Sequence, residues 1–186
     1  MKPAKRKAVF LDRDGVLNRA IMIDNKPYPP CNLDELEIPE DVPKALQNLK
    51  KAGFLLIGVT NQPDVARGTQ RREMVEAIHT VLMKALPLDE IFVCYHDDGD
   101  ACSCRKPLPG LLFQAADRYM IDLSSSFMIG DRWKDLEAGK RAGCITILID
   151  YQYAEKRIVQ PPDYRCHLLS EAAICILSHQ WIGGIH

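Results

Sequence analysis

Phe10-Leu11-Asp12-Arg13-Asp14-Gly15-Val16-Leu17-Asn18 runs from an apolar segment, Ala8 to Leu11, into two aspartates one residue apart and then a glycine. A short apolar run of this kind reads as a buried strand. Carboxylates at the C-terminal end of a parallel strand lie on the edge where open α/β sheets bind ligands. Such a pair can divide two jobs: one attacks or holds a metal, and the other moves protons. Asp-Gly by itself is equally a turn, so the rest of the chain decides between the two.

Outward from this stretch, apolar runs alternate with amphipathic ones. Pro39 to Ala52 repeats Val42, Leu46 and Leu49 at helical spacing and stops at Gly53. Phe54 to Thr60 is apolar without alternation, as in a strand covered on both faces. Thr69 is placed to cap a helix reaching Leu86, with Met74, Ile78 and Leu82 on one face. Glu90–Cys94 reads as a third strand, and Pro109 opens a helix to Met120. Ser126–Gly130 is a fourth strand, Trp133–Ala142 a helix stopped by Gly143, and Cys144–Ile149 a fifth strand. Tyr164–Leu168 is a sixth, and Ser170 caps a last helix to Trp181. The alternation predicts an α/β fold: a doubly wound, mainly parallel sheet with helices on both faces. No linker or repeat divides the chain, so residues 1–186 read as one domain. The long irregular stretches are Asn18–Leu36, His96–Leu108 and Tyr151–Asp163, and the first two follow strands at the ligand edge.

Bulk composition narrows the function class. A net charge of −1 offers no basic field for nucleic acid or an anionic membrane. The basic segment Lys2 to Lys7 reads as a solvated tail. The apolar run after it is broken by Asp12, too soon for a signal core or a membrane span. Seven cysteines show no secreted disulfide pattern, so a reducing cytoplasm is expected. His79, inside a helical pattern, reads as exposed, and His167, His179 and His186 have no ligand partners in sequence.

Polar groups gather at the remaining strand ends. Thr60, Asn61 and Gln62 follow the second strand, Arg105-Lys106-Pro107 ends the segment after the third, and Gly130-Asp131-Arg132-Trp133-Lys134-Asp135 follows the fourth. In a doubly wound sheet these points converge on one edge. Together they supply carboxylates, hydroxyl and amide donors, and fixed positive charge, which is what phosphoryl transfer through a covalent aspartate needs. Asp12 and Asp131 offer oxygen ligands to a hard cation such as Mg²⁺. Lys106 offsets negative charge, and Thr60 donates to a phosphoryl oxygen.

A second constellation is Cys94-x-His96-x5-Cys102-x-Cys104. Four such ligands within eleven residues suit tetrahedral Zn²⁺ in a closed, structural site. Arg105 and Lys106 follow the last ligand directly, so the metal fixes them over the phosphate site.

The ordered set Asp12-Arg13-Asp14-Gly15, Thr60-Asn61, Lys106 and Gly130-Asp131-x-x-x-Asp135 resembles the four motifs of the haloacid dehalogenase-like (HAD) phosphatases. The likeness spans Phe10 to Ile149 and implies a Rossmann-like domain without a large cap. It implies that Asp12 is the nucleophile and Asp14 the general acid and then base. It also implies Mg²⁺ bound by Asp12, the Asp14 carbonyl and Asp131, with Asp135 orienting waters or Lys106. The zinc loop followed by Arg-Lys-Pro resembles the small-cap branch that acts on heptose bisphosphate and on histidinol phosphate. Val65-Ala66-Arg67-Gly68 favours the heptose substrate, with histidinol phosphate the alternative and a catalytically dead, zinc-stabilised binding module the reading from another class. Pro63-Asp64 and Arg132 depart from the heptose pattern. Arg105 is the candidate for reading a second anionic or hydroxyl-rich end. Asn61, Gln62 and Arg132 join it as substrate-binding candidates, while Arg67 is either a substrate contact or a solvated charge. The implied partner is a small phosphorylated sugar met by a monomer.

Overall fold

The computed structural model describes residues 5–153 and 160–183; Lys2 to Ala4 of the basic tail and His186 lie outside them. Six strands form one wholly parallel sheet: β1 (Ala8–Leu11), β4 (Leu55–Asn61), β5 (Glu90–Cys94), β6 (Phe127–Gly130), β7 (Ile145–Ile149) and β8 (Tyr164–Cys166). The order β5-β4-β1-β6-β7-β8 puts the first strand in the middle, and the winding reverses there. That reversal opens a crevice at the carboxyl ends of β1 and β6, where this architecture binds ligands.

Alternation along each strand sorts the core into two layers. Val9, Leu11, Leu56, Ile129 and Ile147 face one side and Ala8, Phe10, Leu55, Ile57 and Met128 the other. Helices α1 (Val42–Lys51), α2 (Arg72–Ala85) and α5 (Leu169–Gly183) cover the first layer through residues such as Leu46, Ile78 and Ala172. Helices α3 (Gly110–Tyr119) and α4 (Trp133–Ala142) cover the second through Leu112, Ala115 and Ala138. Both faces are therefore dry, which is why the central strands read as unbroken apolar runs.

Local chemistry departs from expectation at three points. Thr69 does not cap α2; its hydroxyl donates to the Asp64 carbonyl in the preceding turn, and the helix starts at Arg72. Ser170 lies inside the first turn of α5, and its N–H donates to Asp41 Oδ2 at 2.9 Å. The long stretch after Asn18 contains an antiparallel hairpin, β2 (Ile21–Ile23) and β3 (Lys26–Tyr28). Its two-residue loop, Asp24-Asn25, has positive φ at both positions. Asp and Asn tolerate that geometry, so an Asp-Asn step between Ile-Met-Ile and Lys-Pro-Tyr is the signal that reveals the hairpin. No helix among the described residues is long and apolar enough to cross a membrane.

Candidate active site

The carboxyl ends of β4, β1 and β6 build the site. Beyond β1 the chain turns sharply: the Arg13 carbonyl accepts from the N–H groups of Leu17 (2.8 Å) and Asn18 (3.0 Å), and the Gly15 N–H donates to the Asn18 carbonyl at 2.7 Å. This loop brings Gly15, at φ +90°, against the Asp131 carboxylate beyond β6. The Arg13 N–H donates to Asp12 Oδ1 at 2.8 Å.

Lys106 is the electrostatic centre. It is 2 % exposed, and its ammonium lies 2.8 Å from Asp12 Oδ1 and 2.6 Å from Asp135 Oδ1 while donating to the Val59 carbonyl at 2.8 Å. Asn61 fixes the backbone behind it, donating to the Lys106 carbonyl at 2.9 Å and accepting from the Lys106 N–H at 3.0 Å. Asp135 also accepts from the Arg132 N–H at 3.1 Å, closing the first turn of α4.

One ammonium faces three carboxylates. Burial, then the charge of Asp135, pushes Asp12 up to about 7 despite Lys106. Burial, with Asp12 and Asp135, holds Asp131 well above the usual carboxylate range. Burial opposes the charge on Lys106, but Asp12 and Asp135 outweigh it and keep the ammonium above its ordinary value. Lys106 is therefore charged, and it is a single positive charge against three buried carboxylates.

A divalent cation answers that deficit. Oxygens of Asp12, Asp131 and Asp135 lie within 4.8 Å of one another, and both Asp131 oxygens are buried. All-oxygen donors suit a hard ion of the Mg²⁺ type. The residues present fit the metal that the sequence implied.

Asp14 lies beside this cluster with a different set of partners. Arg13, fully buried, reaches back to its neighbour: Nε donates to Asp14 Oδ1 at 3.0 Å, and Nη2 lies 2.9 Å from both oxygens. Asn18 donates to Oδ1 at 3.0 Å and Gln62 to Oδ2 at 2.9 Å. Gln62, expected on the substrate, is instead buried, and its amide is turned to Asp14 and to Thr60 Oγ1 at 2.9 Å. Accepting that bond leaves the Thr60 hydroxyl proton for an acceptor in the cleft. His79, expected to be exposed, is half-buried with Nε2 3.3 Å from Arg13 Nη1. Arg13 and His79 are the residues that sequence reasoning passed over; nothing in a motif arginine or a helical histidine signals that they meet.

Asp12, Asp14, Thr60, Asn61, Lys106, Asp131 and Asp135 line a cleft of about 180 Å³. Arg67, Arg105, Arg132 and Lys134 form its basic rim, Lys134 being an addition to the expected set. Two acidic residues of the zinc-type loop organise that rim. Arg67 Nη2 lies 2.5 Å from Asp97 and Arg105 Nε 2.8 Å from Asp98, while Lys134 lies 3.9 Å from Asp98. Arg105 also donates to the His96 carbonyl at 3.2 Å.

The loop begins at the last residue of β5, where Cys94 pairs with Asn61 in the sheet. Its Sγ lies 3.5 Å from His96 Nδ1, 3.2 Å from Cys104 Sγ and 3.9 Å from Cys102 Sγ, and His96 Nδ1 lies 3.3 Å from Cys104 Sγ. Sulfurs about 2.3 Å from a tetrahedral Zn²⁺ would be about 3.8 Å apart, so the four donors already cluster near the required spacing.

Comparison with known proteins agrees with this geometry. The HAD-hydrolase-like family model matches residues 103–172. A D-glycero-beta-D-manno-heptose-1,7-bisphosphate 7-phosphatase of Bordetella bronchiseptica is 34% identical over 159 residues, covering 83% of this chain and 86% of that protein. The chain belongs to the HAD-like phosphatases. A Pasteurella multocida relative bearing the same enzyme name is 40% identical over 148 residues, covering 74% of this chain and 77% of that protein. The crystal structure of D,D-heptose 1,7-bisphosphate phosphatase from B. bronchiseptica, complexed with magnesium and phosphate, superposes with a TM-score of 0.79 at 31% identity. That match covers 93% of this chain and 99% of the other. As a member of this family the chain is a hydrolase of phosphate esters built on a Rossmann-like domain without a large cap.

Proposed function

We propose that this single-domain HAD phosphatase removes the 7-phosphate of D-glycero-D-manno-heptose 1,7-bisphosphate through an aspartyl-phosphate on Asp12. The observation that carries the reading is Asp12 itself, buried at the floor of the cleft with Lys106 2.8 Å away and the buried Asp131 carboxylate beside it. Relatives that carry this enzyme name over most of their length support the substrate.

In the first step an Asp12 oxygen attacks phosphorus while the bond from phosphorus to the sugar oxygen breaks. Asp14 gives its proton to that leaving oxygen. In the second step Asp14 takes a proton from water as the water oxygen attacks the same phosphorus. The bond from Asp12 to phosphorus then breaks, and inorganic phosphate leaves. Lys106 and the Thr60 hydroxyl stabilise charge on the phosphoryl oxygens. Asp12, the Asp14 carbonyl and Asp131 would hold Mg²⁺, which supplies Lewis-acid neutralisation of the phosphoryl group. Asn61 keeps Lys106 in register, and Arg105, with Arg67 and Arg132, faces the end of the substrate remote from the scissile bond.

Zn²⁺ on Cys94, His96, Cys102 and Cys104 holds the loop that carries Arg105, Asp97 and Asp98. Thiols held for metal, and none paired in a disulfide among the described cysteines, suit a reducing cytoplasm.

The test compares kcat/KM on heptose 1,7-bisphosphate and histidinol phosphate in Mg²⁺ buffer. The expected ratio favours the heptose by on the order of 10² or more, because polar recognition of the remote phosphate is lost with the other substrate. Equal values would refute the substrate assignment. Asp12→Asn should abolish turnover while the protein still folds, and a variant with appreciable activity would refute the covalent route.

A further inference from the structure

Arg13 is wholly buried one residue after the nucleophile and touches neither the cleft nor any phosphate position described above. A buried guanidinium needs a partner for each of its three nitrogens. Two of them, Nε and Nη2, are spent on Asp14. The third, Nη1, meets one side chain among the described residues, His79 Nε2 at 3.3 Å, which comes from the middle of α2, sixty-six positions along the chain.

The direction of that bond follows from chemistry. A guanidinium only donates, so the imidazole must accept through an unprotonated Nε2. Its surroundings agree: burial first, and the charge of Arg13 second, push His79 down to about 4. The ring is neutral at physiological pH and can hold this role throughout.

We propose that His79 is a positioning residue for the proton-transfer step, acting on Asp14 through Arg13. The inference rests on Asp14 being the acid and base of the reaction. The carboxylate as it stands accepts from Arg13, Asn18 and Gln62. These donors orient the carboxylate that gives a proton to the leaving group and later takes one from water. The Arg13 fork shares that task with Asn18 and Gln62, and His79 holds the Nη1 end of the fork. Without an acceptor at Nη1 a buried donor is orphaned, and the guanidinium rotates toward another partner, taking the Asp14 carboxylate with it. His79 does not line the cleft, so binding is not its task.

The experiment measures kcat and KM for His79→Leu, His79→Ala and His79→Gln on a series of alkyl and aryl phosphates, with Asp14→Asn in parallel. The apolar variants should lose about tenfold or more in kcat on alkyl phosphates, the cost of a hydrogen bond to a charged group, with KM within about twofold. Formation of the phospho-enzyme from an aryl phosphate, measured in a single turnover, should be nearly unaffected, because a good leaving group needs no proton. His79→Gln, whose Oε1 can accept from Nη1, should keep most of the alkyl-phosphate activity. Three outcomes overturn the proposal: a His79→Leu enzyme with wild-type kcat, a loss uniform across leaving groups, or a chain that folds only with Gln at this position, which would assign His79 to stability. If Asp14→Asn itself shows no leaving-group dependence, the acid and base assignment fails, and that result is separate from any failure of His79.

Discussion

Gly15→Ala separates the geometry of the nucleophile turn from its chemistry. A Cβ at Gly15 would lie 2.0 Å from Asp131 Oδ2 and 2.5 Å from its Cγ, at a backbone φ of +90°. Comfortable non-bonded contact needs about 3.5 Å, so the carboxylate has to retreat by about 1.5 Å or the turn has to open. Metal ligation tolerates about 0.2 Å. Gly143 supplies the control: its φ is +83°, yet nothing lies within 4 Å of a Cβ built there. Gly143→Ala therefore carries the backbone term alone, about 1 kcal/mol. Gly15→Ala adds overpacking of about 1–3 kcal/mol. For a chain of this size, Tm should fall by about 3 °C in the control and by about 5–15 °C in Gly15→Ala. The Mg²⁺ concentration for half-maximal phosphate release should rise about 10- to 100-fold in Gly15→Ala only, and a given Mg²⁺ concentration should raise its Tm less than it raises that of the wild type. Scanning calorimetry with and without Mg²⁺, beside a Mg²⁺ titration of activity, reads both effects. A Gly15→Ala enzyme with wild-type Mg²⁺ dependence, or one no less stable than Gly143→Ala, would refute the argument that this turn is shaped around Asp131.

Two further outcomes follow from other parts of the molecule. Cys104→Ser should reduce bound zinc from one equivalent per chain to well below one by elemental analysis. It should also raise KM more than it lowers kcat, because Arg105 hangs on that loop while Lys106 is anchored separately by Asn61; unchanged zinc content or a kcat-only effect contradicts this. Acidification tests His79: the unfolded ring titrates near 6.5 and the folded ring near 4. Between those values the unfolded chain carries a proton that the native protein lacks, so native stability falls as pH drops through that window. Relative to His79→Gln, the wild type should lose about 2 kcal/mol from pH 7 to 4, a figure discounted for partial exposure. A flat difference in denaturant unfolding across that range rules out the neutral acceptor.

Much of the site was legible in sequence because its residues sit at fixed offsets from strand ends. An apolar run followed by Asp12, or by Thr60, or by Asp131 declares both the strand and the group at its carboxyl end. The zinc-type cluster was legible for a similar reason, since Cys94, His96, Cys102 and Cys104 are local and their spacing is short. Gln62 was misread as a substrate contact because its neighbours Thr60 and Asn61 line the cleft. It is two residues past Thr60, and both side chains point to the same side of the chain, yet the amide ends against Asp14 instead of in the cleft.

Sequence alone determined the layered architecture and placed polar groups at the strand ends, because these depend on local apolar period; it also grouped Cys94, His96, Cys102 and Cys104 through their short spacing. Tertiary structure alone decided which partners those residues keep. Arg13 is a charged residue in an acidic turn, and only the docking of α2 against the core layer on its side of the sheet brings His79 to its Nη1. Asp97 and Asp98 look like a solvated acidic pair, and only the fold of the loop sets them against Arg67 and Arg105. Long-range pairs of this kind leave no periodic trace, since each partner obeys its own local pattern and the match arises when distant elements dock.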